Sequence, residues 1–369
     1  MAKLFTSVKV GPYEISHRVV LAPLSRLRAQ AGGIPGPLMA QYYEQRASEG
    51  GLLITEAAAA LADGNGYLGS PGLYHDDQIA GWRKVTERVH AKGARIFAQI
   101  YHAGRQSHSD LRPFGDRPVG ASDVPHQTMA HTADGWVPAT PNRALHESEI
   151  PAIVEGFRKA AQRAFAAGFD GVELHGANGY LLDQFLQDNS NKRTDRYGGS
   201  FENRARFLTE VVRAVISVSS GDKVGVRLSP SSSFGEMADS NPMALFTFVT
   251  EQLSALNLAY LHLIEPRWLA DGDAAENSAV ITDHLRAHYH GTIISAGGYD
   301  GRSAHKMVES GNADLVAFGR HFVANPDLPH RLRHDLPLNE YDRATFYGGG
   351  DVGYTDYPFY DDKAELHVA

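Results

Sequence analysis

The stretch His175-Gly-Ala-Asn178-Gly-Tyr180 groups an imidazole, a carboxamide and a phenol within six residues. It ends an apolar run, Gly168 to Leu174, and opens into Leu181-Leu-Asp-Gln-Phe-Leu186. A buried strand would therefore deliver two hydrogen-bond donors and a phenol at its C-terminal tip. A site that holds a carbonyl oxygen, stabilises the charge developing on it and then supplies a proton needs such groups. For the hexapeptide alone, a histidine and an asparagine capping a helix are the plainer alternative.

Groups like these work only if the fold aims them. Short β-rich apolar runs alternate with helical patterns, and strands are predicted at Val19–Leu24, Leu52–Ala57, Ile96–His102, Gly171–His175, Val224–Ser229, Tyr260–Ile264, Thr292–Gly297 and Leu315–Phe318. Ile153, Phe157, Ala160 and Ala164 keep helical spacing after Ser148-Glu149, and Phe201, Leu208, Val211 and Val215 do so after Ser200, an N-cap residue type. Near-continuous apolar strands imply parallel pairing buried on both sides. Eight such βα units close into a (β/α)8 TIM barrel without an edge strand, with an open doubly wound sheet as the runner-up. Residues 1–369 are read as one domain.

Val8–Ile15, with Gly11-Pro12 in its middle, reads as a β-hairpin covering the barrel floor. Residues 107–145 are polar and rich in Pro and Gly, without a convincing period, and are expected as a lid or wall above the mouth. The tail, 343–369, is rich in Gly and Tyr.

Composition narrows the function classes. The chain has 369 residues, 43% hydrophobic and 21% charged, which suits a large core. A formal net charge of −8 argues against a nucleic-acid binder. No apolar stretch approaches the roughly 20 residues that span a bilayer. The start, Met1 to Ser7, lacks the apolar stretch of a signal peptide, so cytoplasmic residence is expected. With no cysteine, disulfides, thiolate nucleophiles and iron–sulfur clusters are excluded.

In such a barrel the chemistry lies at the C-terminal strand ends. These read Pro23-Leu-Ser25-Arg26, Glu56-Ala57, Gln99-Ile-Tyr101-His102, His175 to Asn178, Arg227 to Pro230, Glu265-Pro-Arg267, Gly297-Gly298-Tyr299 and Gly319-Arg320. None carries the lysine of a Schiff-base aldolase, and no cluster makes a convincing metal site. Glycines after the last two strands let backbone N–H groups approach a phosphate, and Arg320 can add a charge-assisted fork. Gly64-Asn-Gly66-Tyr-Leu-Gly69 matches a dinucleotide fingerprint in letters, but Ser70-Pro71-Gly72 follows it and a loop is expected.

Together these residues resemble the old yellow enzyme family of flavin-dependent ene-reductases, in its classical branch. The most specific matches are His175 through Leu186, Arg193-Thr-Asp-Arg-Tyr-Gly-Gly-Ser-Phe-Glu-Asn-Arg204 and Val226-Arg-Leu-Ser-Pro230; the similarity runs from Ala22 to Pro358. The resemblance implies a TIM barrel holding FMN at its mouth. It implies that Gln99 bonds the flavin pyrimidine edge and that Arg227 faces the N1/C2 carbonyl side. Pro23, Leu24, Ser25 and Ala57 would lie along the ring, and Gly297, Gly298, Gly319 and Arg320 would hold the phosphate. His175 and Asn178 would bind the carbonyl or nitro oxygen of an activated alkene, whose β-carbon takes hydride from flavin N5, while Tyr180 protonates the α-carbon. NADPH or NADH would reduce the flavin in a ping-pong cycle. Tyr67, Tyr101 and Tyr347 are expected as pocket walls.

Some positions depart from the family pattern. Ser25 stands where classical members usually have threonine, keeping the hydroxyl and losing the methyl. Tyr101 replaces a frequent tryptophan, which reshapes the pocket. Two other readings compete: a phosphate-binding isomerase or lyase on the same barrel, which would be colourless, and a flavoprotein without turnover. Monomer and homodimer both suit the fold.

Overall fold

The computed structural model describes residues 2–266 and 281–361. Arg267 and the last residues of the tail, 362–369, lie outside them. Eight parallel strands close on themselves: β1 (Val19–Leu21), β2 (Leu52–Ile54), β3 (Arg95–Tyr101), β4 (Gly171–Gly176), β5 (Val224–Leu228), β6 (Tyr260–Ile264), β7 (Ile293–Ala296) and β8 (Leu315–Phe318). β8 pairs with β1, so the ring is complete and the open-sheet alternative falls. The predicted strands all recur, but β1 and β2 stop three residues early. Their ends, Ala22–Leu24 and Thr55–Ala57, are already mouth loops.

The outward residues of the strands meet the helices. Val172 and Leu174 of β4 and Val226 and Leu228 of β5 join Phe157, Ala160 and Ala164 of the helix Ile150–Ala166 and Leu208, Val211 and Val215 of the helix Phe201–Ile216 in one core cluster. The second of these helices starts where expected: Ser200 Oγ accepts the amide of Asn203, satisfying a donor the helix itself cannot use.

The inward residues form rows set by register. Gly171 sits beside Phe97, and Gly225 lies between Glu173 and Tyr260. A Cβ at Gly171 would come within 2.3 Å of the Phe97 ring, and one at Gly225 within 2.3 Å of the Tyr260 ring. Glycine on one strand thus makes room for a large ring on its neighbour, and the two rings meet at 5.5 Å between centroids. Each fully buried ring contributes about 1.5–3 kcal/mol. Below them the hairpin of Val8–Val10 and Tyr13–Ile15 seals the floor as expected, with Val10 and Ile15 packed into the cluster of Val20, Leu52, Ile54, Phe97 and Tyr260.

Candidate active site at the barrel mouth

Strand alternation carries the polar inward residues upward. Gln99 and Glu173 are register partners on β3 and β4; one step higher, His175, Arg227 and His262 stand side by side on β4, β5 and β6. All five are buried. Gln99 Nε2 donates to Glu173 Oε1 at 2.7 Å, and His262 Nδ1 lies 2.8 Å from Glu173 Oε2. By contrast, His175 Nδ1 and Arg227 Nε are shut from solvent with no partner. Buried polar atoms normally have partners, so these unpaired atoms mark a place where a further polar group fits.

After β4 the chain turns sharply. Asn178 takes a left-handed φ of +57°, a conformation asparagine tolerates better than most residues. Its amide donates to Ser229 Oγ at 2.8 Å, and its carbonyl accepts from Gln106 Nε2 at 2.8 Å. The next turn is pinned from the short helix Leu181–Leu186: Asp183 Oδ2 accepts the Gly179 amide, and Gln184 Nε2 donates to the Gly179 carbonyl. Burial pushes the Asp183 carboxyl up to about 6. Thus Asp183 and Gln184 hold the loop from beneath, a duty visible only once the loop is folded.

Tyr180 emerges above this frame. Its hydroxyl is 3.0 Å from that of Tyr67, and its ring meets the His175 ring edge-on at 4.8 Å. Burial first, then the neighbouring Tyr67 and Tyr101 hydroxyls, push the Tyr180 phenol well above its usual range. It therefore keeps its proton at neutral pH. Burial, then Arg227 and His262, hold the His175 imidazole well below its usual value, so it is neutral and carries one N–H to donate.

A cavity of about 540 Å³ opens over Tyr180 and Ser25. Tyr67 and Tyr347 line it. Tyr101 does not; it stands one layer back, edge-on to Tyr180 at 5.1 Å, with its hydroxyl bonded to Asn65 Oδ1 and near Ser70 Oγ. Tyr101, expected as a pocket wall, thus stands behind Tyr180.

The 107–145 excursion stands over the mouth. It has more structure than its composition suggests: Met129–Thr132 and Gly135–Pro138 form an antiparallel hairpin, and Val119–Gly120 pairs with Arg143–Ala144. The hairpin carries Met129 and Trp136 to the cavity wall. Its sequence signal was Asp134-Gly135, with Gly135 at φ +87°. Phe234, from the loop after β5, closes another side. These wall residues escaped the sequence reading because loops carry no period.

The glycines expected to cradle a phosphate lie together in the fold's last two units. Gly298, at φ +84°, follows β7, and Gly319 precedes the short helix Arg320–Ala324 after β8. A Cβ on Gly319 would reach 3.4 Å from Leu24 Cδ2. Pro23 and Leu24 after β1, with Ala57 after β2, bring apolar atoms to the same mouth. Arg320 Nη1 donates to the Tyr341 hydroxyl at 3.2 Å. Gly64 ends the 3-10 turn Ala62–Gly64, and residues 65–69 form a loop with no helix opening directly after it, so the fingerprint letters are incidental. Among the described residues no group of histidines and carboxylates could hold a metal ion, and no helix is long and apolar enough to cross a membrane.

A parallel barrel that carries a buried arginine with an unpaired Nε, a buried glutamine, a neutral histidine and glycine loops after its last two strands has the makings of a flavin-dependent oxidoreductase. The comparisons agree: the chain belongs to the NADH:flavin oxidoreductase / NADH oxidase family, the old yellow enzyme family, whose model matches residues 3–339. It is 47% identical over 364 residues to 12-oxophytodienoate reductase 1 of Oryza sativa subsp. japonica, covering 98% of this chain and 94% of the relative. With 12-oxophytodienoate reductase 7 of the same plant it shares 46% over 374 residues, covering 97% and 95%. The structure of morphinone reductase in complex with tetrahydroNAD superposes with a TM-score of 0.91 at 44% identity, covering 98% of both chains. The chain is thus an FMN enzyme that uses a nicotinamide coenzyme and acts on small molecules.

Proposed function

We propose that the chain reduces activated alkenes, with His175 and Asn178 holding the substrate's carbonyl or nitro oxygen and Tyr180 protonating its α-carbon. When bound, FMN supplies the hydride that reaches the β-carbon, having taken it from NADH or NADPH. The other assignments concern what the protein's own side chains do. Gln99 and Arg227 hold the pyrimidine side of the flavin; the buried, unpaired Arg227 Nε supports this. An arginine stays protonated there and can balance negative charge. Pro23, Leu24, Ser25 and Ala57 flank the ring, and Gly297, Gly298, Gly319 and Arg320 take the phosphate.

The neutral His175 and the carboxamide of Asn178 donate to the same oxygen, drawing electron density from the alkene. Tyr180 supplies its proton to the α-carbon, and Tyr67, 3.0 Å away, keeps the phenol oriented. The observation that carries this reading is that one short turn brings a neutral imidazole and a protonated phenol edge to edge at 4.8 Å beneath an open cavity. Residues 107–145 serve as a wall of that cavity within a single domain. The relatives are named for an oxo compound and a morphinone, which supports carbonyl-bearing substrates here. Cytoplasmic residence belongs to the same reading.

The test is an anaerobic absorbance spectrum of the purified protein, taken before NADPH, after it and after cyclohexenone. Flavin bands that bleach and return establish both half-reactions. A colourless protein that takes up no added FMN overturns the reading; bands that bleach and stay bleached favour a flavoprotein without turnover.

A further inference from the structure

Glu173 touches no atom of the reacting groups, yet it is a carboxylate with no exposed surface at the barrel axis. Burying an ionised carboxylate is costly unless it is paired and fully hydrogen-bonded. Both its oxygens are engaged: Oε1 accepts from Gln99 and Oε2 from His262. Burial works to raise the Glu173 carboxyl, but His262, Arg227 and the bond from Gln99 outweigh it and hold it below the usual range. Burial lowers His262. The neutral ring therefore donates from Nδ1–H, and the cation that balances Glu173 is Arg227.

The geometry has two consequences. With Nε2 turned to Glu173, the Gln99 amide has one orientation, and no hydrogen bond among the described residues engages its Oε1. An acceptor and a second N–H remain for a ligand. Arg227 is one strand away, beside His175 and His262, so the carboxylate and the guanidinium act on the mouth as a pair of opposite charges. A reduced flavin carries more negative charge than an oxidised one. In a low-dielectric interior, fixed charges nearby shift that balance strongly.

We propose that Glu173 is a positioning residue for the flavin: it locks the amide of Gln99 and, as counter-charge to Arg227, keeps the FMN reduction potential low. This rests on the reading that Gln99 and Arg227 face the flavin. Family membership does not assign this role, which follows from the hydrogen bonds and register of this chain.

The experiment is a midpoint-potential titration of the FMN-loaded protein, wild type against Glu173→Gln. The amide is isosteric and can rebuild both hydrogen bonds if His262 changes tautomer, so charge alone is lost. The variant should bind reduced FMN relative to oxidised FMN about tenfold more tightly than wild type, an upward shift of about 30 mV for a two-electron couple. Glu173→Asp keeps the charge and should stay near the wild-type potential while binding oxidised FMN more weakly, because Gln99 is released. A residue that only stabilises the fold would lower the melting temperature and leave the potential in place; that result overturns the proposal. If the single variant does not fold, the same tenfold is read between Arg227→Gln and Arg227→Gln/Glu173→Gln, where no charge is left unpaired. Arg227→Gln by itself should lower the potential. A wild-type protein without FMN, or an Arg227→Gln variant of unchanged potential, defeats the site reading; a lowered Arg227→Gln potential with an unmoved Glu173→Gln defeats only this inference.

Discussion

The inner rows of the barrel and the rim of its mouth are built on different physics. Gln99, Glu173, His175, Arg227 and His262 project from paired strands, so their spacing follows from sheet register, and each is buried. Trp136, Phe234 and Tyr347 come from segments far apart in sequence, and each is about half exposed. Trp136 and Tyr347 meet edge-on at 5.5 Å, and Trp136 also meets Tyr67 at 5.7 Å, but none belongs to the barrel sheet; Trp136 sits on a separate two-stranded hairpin. The contrast suggests a division of labour to test: the scaffold holds the groups proposed to do chemistry, and the rim controls what reaches them. Substitutions should separate the two.

The largest effect is expected inside. His175→Ala with Asn178→Ala removes both donors to the substrate oxygen, and the charge-transfer band that forms when a phenol binds over the flavin should vanish. A surviving band would move the oxyanion site elsewhere. Tyr180→Phe should slow the enone half-reaction by about 10²-fold or more, as loss of a general acid does. Flavin reduction by NADPH should stay within a few-fold, because that step needs no proton from the phenol. Stopped-flow measurement of the two half-reactions decides it; equal losses in both would remove Tyr180 from the proton-donor role.

A smaller effect concerns the seam between scaffold and rim. Glu56, in the loop just after β2, accepts the amides of Arg26 and Leu27 and so ties down the loop carrying Ser25. Burial raises its carboxyl to about 7, against the bonds from those amides and the charges of Arg26 and Arg28. The folded protein thus binds a proton that the unfolded chain has released above its ordinary value of 4.5. Between that value and about 7, stability should fall as pH rises, by on the order of 3 kcal/mol in all. Glu56→Gln should flatten the melting temperature across this window; a variant with the wild-type slope would assign the dependence to another group.

The smallest effect belongs to the rim. Trp136→Ala should change KM for bulky alkenes several-fold while leaving FMN binding, flavin reduction and melting temperature near wild type. If it lowers the melting temperature by many degrees, the hairpin is part of the core and the contrast between the two regions fails.

The strand ends were legible because a buried strand is an apolar run and its last polar residue stands out. Thus Gln99, His175 and Arg227 could be picked from the letters, and the hairpin, the eight strands and the Ser200 cap lie where the patterns put them. Glu173 and His262 were passed over although their spacing was in view: Gly171, Glu173 and His175 alternate with Val172 and Leu174, and a period of two in a buried strand marks an inward face. Reading an apolar run as uniformly buried hides which of its residues face the axis.

The sequence by itself determined the class of fold, the family and the polar residue types gathered at the barrel mouth, because those depend on local periodicity and on short, specific motifs. Only the tertiary structure decided that Glu173 joins Gln99 to His262, that Tyr101 backs Tyr180 and does not face the cavity, and that a hairpin near residue 130 supplies the wall. Those are relations between strands and loops distant along the chain. Their geometry follows from register and closure of the ring, which no window of sequence contains.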